Sequence, residues 1–337
     1  MNILVIKQTS LGDVLHSTGH IRALKTQFPN SHLTLLTAST SAEIFINNPY
    51  VDEIICFERY AVKQKWLSNP SWVFSHFREV IRQVRNRNYD LAIDLQGRWK
   101  SVLFLYLCKA SHKYVKGRWL GVHGFRDRSL HALSEMDQVL KLAKVDTSDT
   151  SMEFFSAADV NASVNSRLVK SGYKNQPIVL ISPFTRWQSK NWSLKNYEEL
   201  IHRLPTEVVP VITGSVSDAS KVESLVGSST NSLLINFCGE LGLQEFAELV
   251  RKAAVVVSGD SFAMHLAVAC HTPVIALFGP TDELKVGPGN PRDKVLRSKK
   301  ECRRCYDRVC KRQCIDAISA EQVCTEVQTI LATPIVP

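Results

Sequence analysis

The chain contains no uninterrupted apolar run near the ~20 residues that cross a bilayer, so no membrane-spanning helix is expected. Its opening, Met1-Asn2-Ile3-Leu4-Val5-Ile6-Lys7, lacks a basic lead, a long apolar stretch and a small-residue cleavage site. It reads as a first strand rather than a signal peptide, and a cytosolic protein is expected. Gly12 stands alone where a G-x-G-x-x-G turn would need companions, and no Walker loop is present, which excludes the usual dinucleotide and P-loop fingerprints. Low-complexity tracts and short-period repeats are absent. No histidine neighbours the one dense group of cysteines, Cys302, Cys305, Cys310 and Cys314, spaced C-x2-C-x4-C-x3-C. In a reducing compartment that spacing suggests metal ligation or a redox-labile loop before a structural disulfide. Five basic residues share the segment and it fits no standard zinc pattern, so a surface loop with free or paired thiols is the first reading and a bound metal or iron–sulfur centre the second.

What is present is an ordinary globular composition, 45% hydrophobic and 22% charged, over 337 residues, more than one core usually organises. Two domains of about 150 residues each follow. Short β-rich runs alternate with amphipathic helical patterns: Ile3–Ile6, Leu33–Leu36, Ile54–Phe57 and Leu91–Leu95, then Ile178–Ser182, Val208–Thr213, Leu233–Phe237, Val255–Ser258 and Val274–Phe278. Such alternation implies βαβ units and parallel sheets, with both halves α/β and doubly wound. The stretch from Asp146 to Gln176 has no strong strand and is rich in Ser, Asp, Thr and Asn, which makes it the best linker.

Two strand-to-helix loops carry the chemistry. In the first, Thr9, Ser10, Gly12 and Asp13 follow strand Ile3–Ile6; in the second, Asp260, Ser261, Phe262, Ala263 and His265 follow Val255–Ser258. Loops at the carboxyl ends of parallel strands bind ligands, because helix N-terminal amides and short polar side chains converge there. Asp13 also suits a first-turn carboxylate that complements the helix dipole. Asp260 and Ser261 resemble a helix cap, leaving the amides of Ser261, Phe262 and Ala263 for an anion. Thr185 and Lys190 follow strand Ile178–Ser182, where a lysine can neutralise phosphate. Gly279-Pro280-Thr281-Asp282 would lie beside the Asp260 loop.

The net charge of +9 is concentrated: from Lys63 to Arg128 fourteen basic residues face four acidic ones. Such a field draws phosphates of nucleic acid, an anionic membrane surface or an acidic glycolipid, although a solvated helix face is the plainer account of Arg78, Arg82 and Arg85.

Together Lys7-Gln8-Thr9-Ser10-Leu11-Gly12-Asp13-Val14-Leu15-His16, Tyr89 to Ser101 with its Asp94-Leu95-Gln96-Gly97 core, and Ser258 to His265 followed by Gly279-Pro280-Thr281-Asp282 resemble glycosyltransferase family 9, the ADP-heptose:lipopolysaccharide heptosyltransferases, over nearly the whole chain. The first two motifs look most like its type I members. The resemblance implies a GT-B fold, two Rossmann-like domains facing a central cleft: an acceptor domain over 1–155, a linker over 156–176, a nucleotide-sugar domain over 177–318 and a C-terminal helix over 319–337 that packs back on the first domain. It implies an inverting transfer from ADP-heptose to the Kdo region of lipid A, with Asp13 as general base, Lys190 stabilising the leaving diphosphate, and no cofactor required. Thr9, Ser10, Gly12, Thr185, Asp218, Asp260, Ser261, Phe262, Ala263 and His265 fall to donor binding, Asp218 as a ribose contact. Phe262 departs from the family, which has glycine there. Arg98, Lys100, Lys113, Lys116, Arg118 and Arg126 become candidates for the anionic acceptor and for holding a peripheral enzyme on the cytoplasmic face of the inner membrane. A nucleotide-sugar epimerase, or transfer to a later core heptose or a protein, is the alternative. Nucleic acid is not an expected partner, since no recognition motif is present.

Overall fold

The computed structural model describes residues 1–227, 233–298 and 304–333. They divide into two units, Met1–Phe155 and Ser156–Pro337. The first is built on β1 (Asn2–Ile6), β2 (His32–Thr37), β3 (Glu53–Cys56), β4 (Asn88–Asp94), β5 (Lys109–Lys116) and β6 (His123–Phe125), all parallel in the order β3-β2-β1-β4-β5-β6. The second uses β7 (Ile178–Ser182), β8 (Val209–Ile212), β9 (Ile235–Asn236), β10 (Ala253–Gly259), β11 (Val274–Phe278) and β12 (Lys294–Arg297), parallel in the order β12-β11-β10-β7-β8-β9. Central strands such as Ile178–Ser182 and Val274–Phe278 are buried along their whole length, as strands covered on both faces must be. Each sheet therefore starts at its centre and winds outward to both sides. The reversal falls between β1 and β4 in one unit and between β7 and β10 in the other, and those crevices are where α/β sheets take ligands.

Three strands escape the sequence reading: Lys109–Lys116, His123–Phe125 and Lys294–Arg297 lie at or beside sheet margins and carry mostly polar, half-exposed residues. The segment 156–176, read as a linker, holds a helix, Val160–Lys170, whose Val164 and Leu168 are buried one turn apart against helix Leu243–Lys252. Arg167 Nε reaches Glu245 at 3.0 Å across that contact.

The helix expected to pack back on the first unit instead completes the core of the second. Val323, Val327 and Ile330 of helix Ala320–Ala332 are buried with Val179, Val257 and Ile275 of the second sheet. Each such side chain contributes ~1.5–3 kcal/mol over its exposed state, which fixes the helix where those strands are. Trp192 Nε1 donates to Ile318 O at 2.9 Å and Ser193 N to Asp316 at 2.8 Å, stitching the approach to the helix onto the same unit.

Candidate active site

In the first unit the loop after β1 is held from the loop after β4. Asp94, fully buried at the end of β4, accepts the N–H groups of Gln96 at 2.8 Å and Gly97 at 3.0 Å. That turn needs glycine: Gly97 has φ +63, and a Cβ there would lie 1.6 Å from Lys116 O. Gln96 then accepts the N–H groups of Gln8 at 3.2 Å and Thr9 at 3.1 Å with one side-chain oxygen. Thr9 Oγ1 accepts from Arg59. The exposed Asp13, in helix Leu11–Leu15, takes the N–H of Ser10 at 3.0 Å and its hydroxyl at 2.9 Å on Oδ2. Thr9, Ser10, Gly12 and Asp13 thus form one braced loop. Beneath it Lys7 is buried and donates to Leu95 O at 3.1 Å. Burial pulls its ammonium down to about 8, against the opposing pull of Asp13 and Asp94. Burial likewise pushes Asp94 up to about 6, with donors at Gly97, Ser101 and Gln96 working against it.

The basic residues divide. Arg98, Lys100, Arg118 and Arg126 are exposed. Lys113 is already engaged within its own unit: its ammonium donates to Tyr106 O at 3.1 Å and Cys108 O at 2.9 Å, closing the C-terminal end of helix Trp99–Leu107. Lys116 is paired with Glu135 at 2.8 Å, both largely buried.

In the second unit the sheet reversal brings Lys190 from the loop after β7 to Asp260 after β10, with Nζ 3.2 Å from Oδ2 and both side chains about nine-tenths buried. Gly259 permits this approach, since a Cβ there would stand 2.8 Å from Lys190 O. Thr185 donates its N–H to Asn191 Oδ1 at 2.8 Å and its hydroxyl to Trp187 O at 3.0 Å, which stiffens the loop. Trp187 has two cations on its ring, Lys190 Nζ and Arg308, each 4.8 Å from the centroid. Ser261 caps helix Phe262–Ala269 by accepting Ala263 N at 3.2 Å, so that amide is already used and is not open to an anion as expected. Phe262 is half-buried at the first helical position and His265 is buried within the helix.

Asp218 lies in the loop after β8. Its Oδ2 accepts Ser215 N at 3.1 Å and its Oδ1 meets Lys221 at 2.9 Å. Burial opposes ionisation, but Ser215 and Lys221 outweigh it and hold the carboxyl below its usual range. Lys221 Nζ stands 5.1 Å over Phe184, which keeps Asp218 near the loop after β7. The cysteine-rich segment also borders this site: Ser189 donates to Asp307 O at 2.6 Å, and Arg304 pairs with Asp282 at 3.0 Å in the Gly279–Asp282 loop. Cys305 and Cys310 are free thiols, Cys314 is buried, and among the described residues no three His, Cys, Asp or Glu side chains gather as metal ligands. Cys302 lies outside the described residues. Sequence reasoning gave no role to Gln96, Arg59, Trp187 or Arg308; only the Asp94-Leu95-Gln96-Gly97 string at a strand end hinted at one.

The profile of Glycosyltransferase family 9 (heptosyltransferase) matches residues 77–316. The chain belongs to glycosyltransferase family 9. It is therefore a glycosyltransferase enzyme, and the family 9 profile covers both the β4 turn and the Lys190–Asp260 loops. Lipopolysaccharide heptosyltransferase 3 of Escherichia coli K12 is 25% identical over 287 residues, 81% of each chain. A family 9 glycosyl transferase from Veillonella parvula superposes with a TM-score of 0.84 at 19% identity, over 98% of this chain and 97% of that one. The E. coli heptosyltransferase WaaC with ADP gives 0.78 at 19% identity, over 98% and 100%. The two doubly wound sheets of this family 9 chain are those of the GT-B fold.

Proposed function

We propose that this family 9 enzyme moves a heptose from ADP-heptose to the Kdo-bearing inner core of lipopolysaccharide with inversion, at the cytoplasmic face of the inner membrane. The observation that carries the reading is the Lys190–Asp260 pair at the β7/β10 reversal, a nearly buried ammonium held by a nearly buried carboxylate. An incoming diphosphate competes with Asp260 for that ammonium, and Arg308 across the Trp187 ring supplies a second cation. Preorganised cations act on charge that grows as the leaving group departs, and removing one such donor typically costs ~10²–10³ in rate. The relatives named for lipopolysaccharide and the solved neighbour with ADP support this choice of donor and acceptor.

On the acceptor side Asp13 is the base. It takes the proton of the acceptor hydroxyl while that oxygen attacks the anomeric carbon; the bond from this carbon to the diphosphate oxygen breaks, and ADP leaves with the electron pair. Attack opposite the leaving group inverts the configuration. A carboxylate already holding Ser10 is geometrically fixed, as a general base must be. Exposed Arg98, Lys100, Arg118 and Arg126 face the carboxylates and phosphates of the acceptor, and the scheme invokes no cofactor.

The test is incubation with ADP-heptose and heptose-free Kdo-lipid A, beside Asp13→Asn, which keeps an oxygen for the Ser10 bonds. A glycolipid longer by one heptose is expected, with kcat reduced by ~10²–10⁴ in the variant. Full turnover by Asp13→Asn rejects the base. An isomerised nucleotide sugar with the acceptor untouched rejects transfer in favour of epimerisation, and extension only of a heptosylated core or a protein relocates the acceptor.

A further inference from the structure

The first unit carries an apolar surface that its own fold does not use. Helix Trp99–Leu107 reads WKSVLFLYL, and while Val102, Phe104 and Leu105 are buried, Trp99, Leu103 and Tyr106 lie exposed at i, i+4 and i+7. A helix on the surface of a globular unit normally carries polar residues along that face. The stripe is continued at one end by Leu120, 93% exposed, to whose carbonyl Tyr106 donates at 2.5 Å. At the other end stands the corner after helix Arg59–Lys65, where Trp66 is 61% and Leu67 91% exposed. Between the two helices runs a groove of about 300 Å3, floored by Phe57, Val62 and Phe77 and rimmed by Trp66 and Trp99.

The charged residues of this groove are all of one sign: Arg59, Lys63 and Lys100 line it and no carboxylate does. Lys65 and Lys100 lie over the rings of Trp72 and Trp99, at 4.1 and 5.3 Å from their centroids. Exposed indoles and leucines ringed by lysine and arginine are the composition of a surface that lies in the headgroup region of a membrane. A symmetric contact between two copies would bring like charges together, which disfavours a second chain as the occupant. Among the described residues no helix is long and apolar enough to cross a membrane.

We infer that this face, from Trp66 and Leu67 through Trp99 and Leu103 to Tyr106 and Leu120, is a docking surface for an anionic phospholipid bilayer. The side chains enter the boundary between headgroups and acyl chains while Arg59, Lys63 and Lys100 meet the phosphates. Arg59 also donates to Thr9, in the loop that carries Asp13, so the docked face borders the proposed base. That neighbourhood gives the surface a purpose under the function proposed above; the surface itself rests on exposure and charge alone.

The test is co-sedimentation of the full chain, without substrates, with vesicles of phosphatidylethanolamine and phosphatidylglycerol and with phosphatidylcholine vesicles, at low and high salt. The wild type is expected to bind the anionic vesicles preferentially and to release with salt. Trp66→Ser with Leu67→Ser is expected to weaken that partition at least tenfold with unchanged circular dichroism and melting, while Val169→Ser, which removes an exposed apolar side chain of the second unit, binds as wild type. Unchanged partition of the double variant, equal binding to neutral vesicles, or light scattering that shows a wild-type dimer turned monomeric by the double variant would each overturn the inference. Transfer to a lipid-free Kdo acceptor, measured in parallel, separates the two proposals. Its failure in the wild type removes the function and leaves the vesicle result standing, whereas a double variant that keeps it but loses transfer to vesicle-embedded acceptor supports the docking surface.

Discussion

Gln96 holds two main-chain N–H groups with one oxygen, and both belong to the loop that presents Asp13. Gln96→Leu leaves those amides without a partner, at ~1–3 kcal/mol each. The expected result is a lower melting temperature and a reduced kcat with the donor KM unchanged, read by thermal unfolding and steady-state kinetics. Asp94 below it has a pH signature. Its carboxyl titrates at about 6 when folded and near 3.8 when free, so the folded state binds more protons between those values and the contribution of Asp94 to stability falls as pH rises from about 4 to about 6. The stability difference between wild type and Asp94→Asn should therefore change across that window and be flat above it, in denaturant titrations at stepped pH. Asp13, Lys190 and Asp260 stand out as candidates in the sequence because each stands one loop beyond an apolar strand, where chemistry is expected. Gln96, Trp187 and Arg308 do not, because Gln96 acts on a neighbour 87 positions away and Trp187 and Arg308 meet across 121. For Lys113 and Asp218 a sequence shows the charge and not the carbonyls or ammonium that already engage it.

At the level of elements, apolar density decided what could be read. Strands buried on both faces announced themselves; β5, β6 and β12 did not, since few of their side chains are buried. Helix Val160–Lys170 hid because only Val164 and Leu168 are buried along a polar stretch. Helix Trp99–Leu107 depends on Lys113 at its C-terminal end, where a cation offsets the exposed carbonyls and the helix dipole. Lys113→Met should cost ~0.3–1 kcal/mol of stability, measured by urea unfolding, and leave the acceptor KM unaltered. A tenfold rise in that KM would return Lys113 to the acceptor site.

Across the whole molecule, a net charge of +9 favours encounter with anionic ligands. ADP at a hundred times its Kd should stabilise the protein by about 2.7 kcal/mol. For a unit of this size that corresponds to a rise of roughly 5–11 °C in the melting transition, with AMP, one phosphate shorter, giving less; calorimetry checks both. The place of helix Ala320–Ala332 in the core of the second sheet has a consequence during synthesis. Every strand of the first sheet has been translated by residue 125, but β7 and β10 wait for Val323, Val327 and Ile330 before their shared core can close. At 5–20 residues per second the ribosome needs roughly 7–30 s between β7 and that helix. Through that interval the nascent second unit exposes unclosed hydrophobic surface to chaperones, while the unit that carries Asp13 has all the chain it needs to fold.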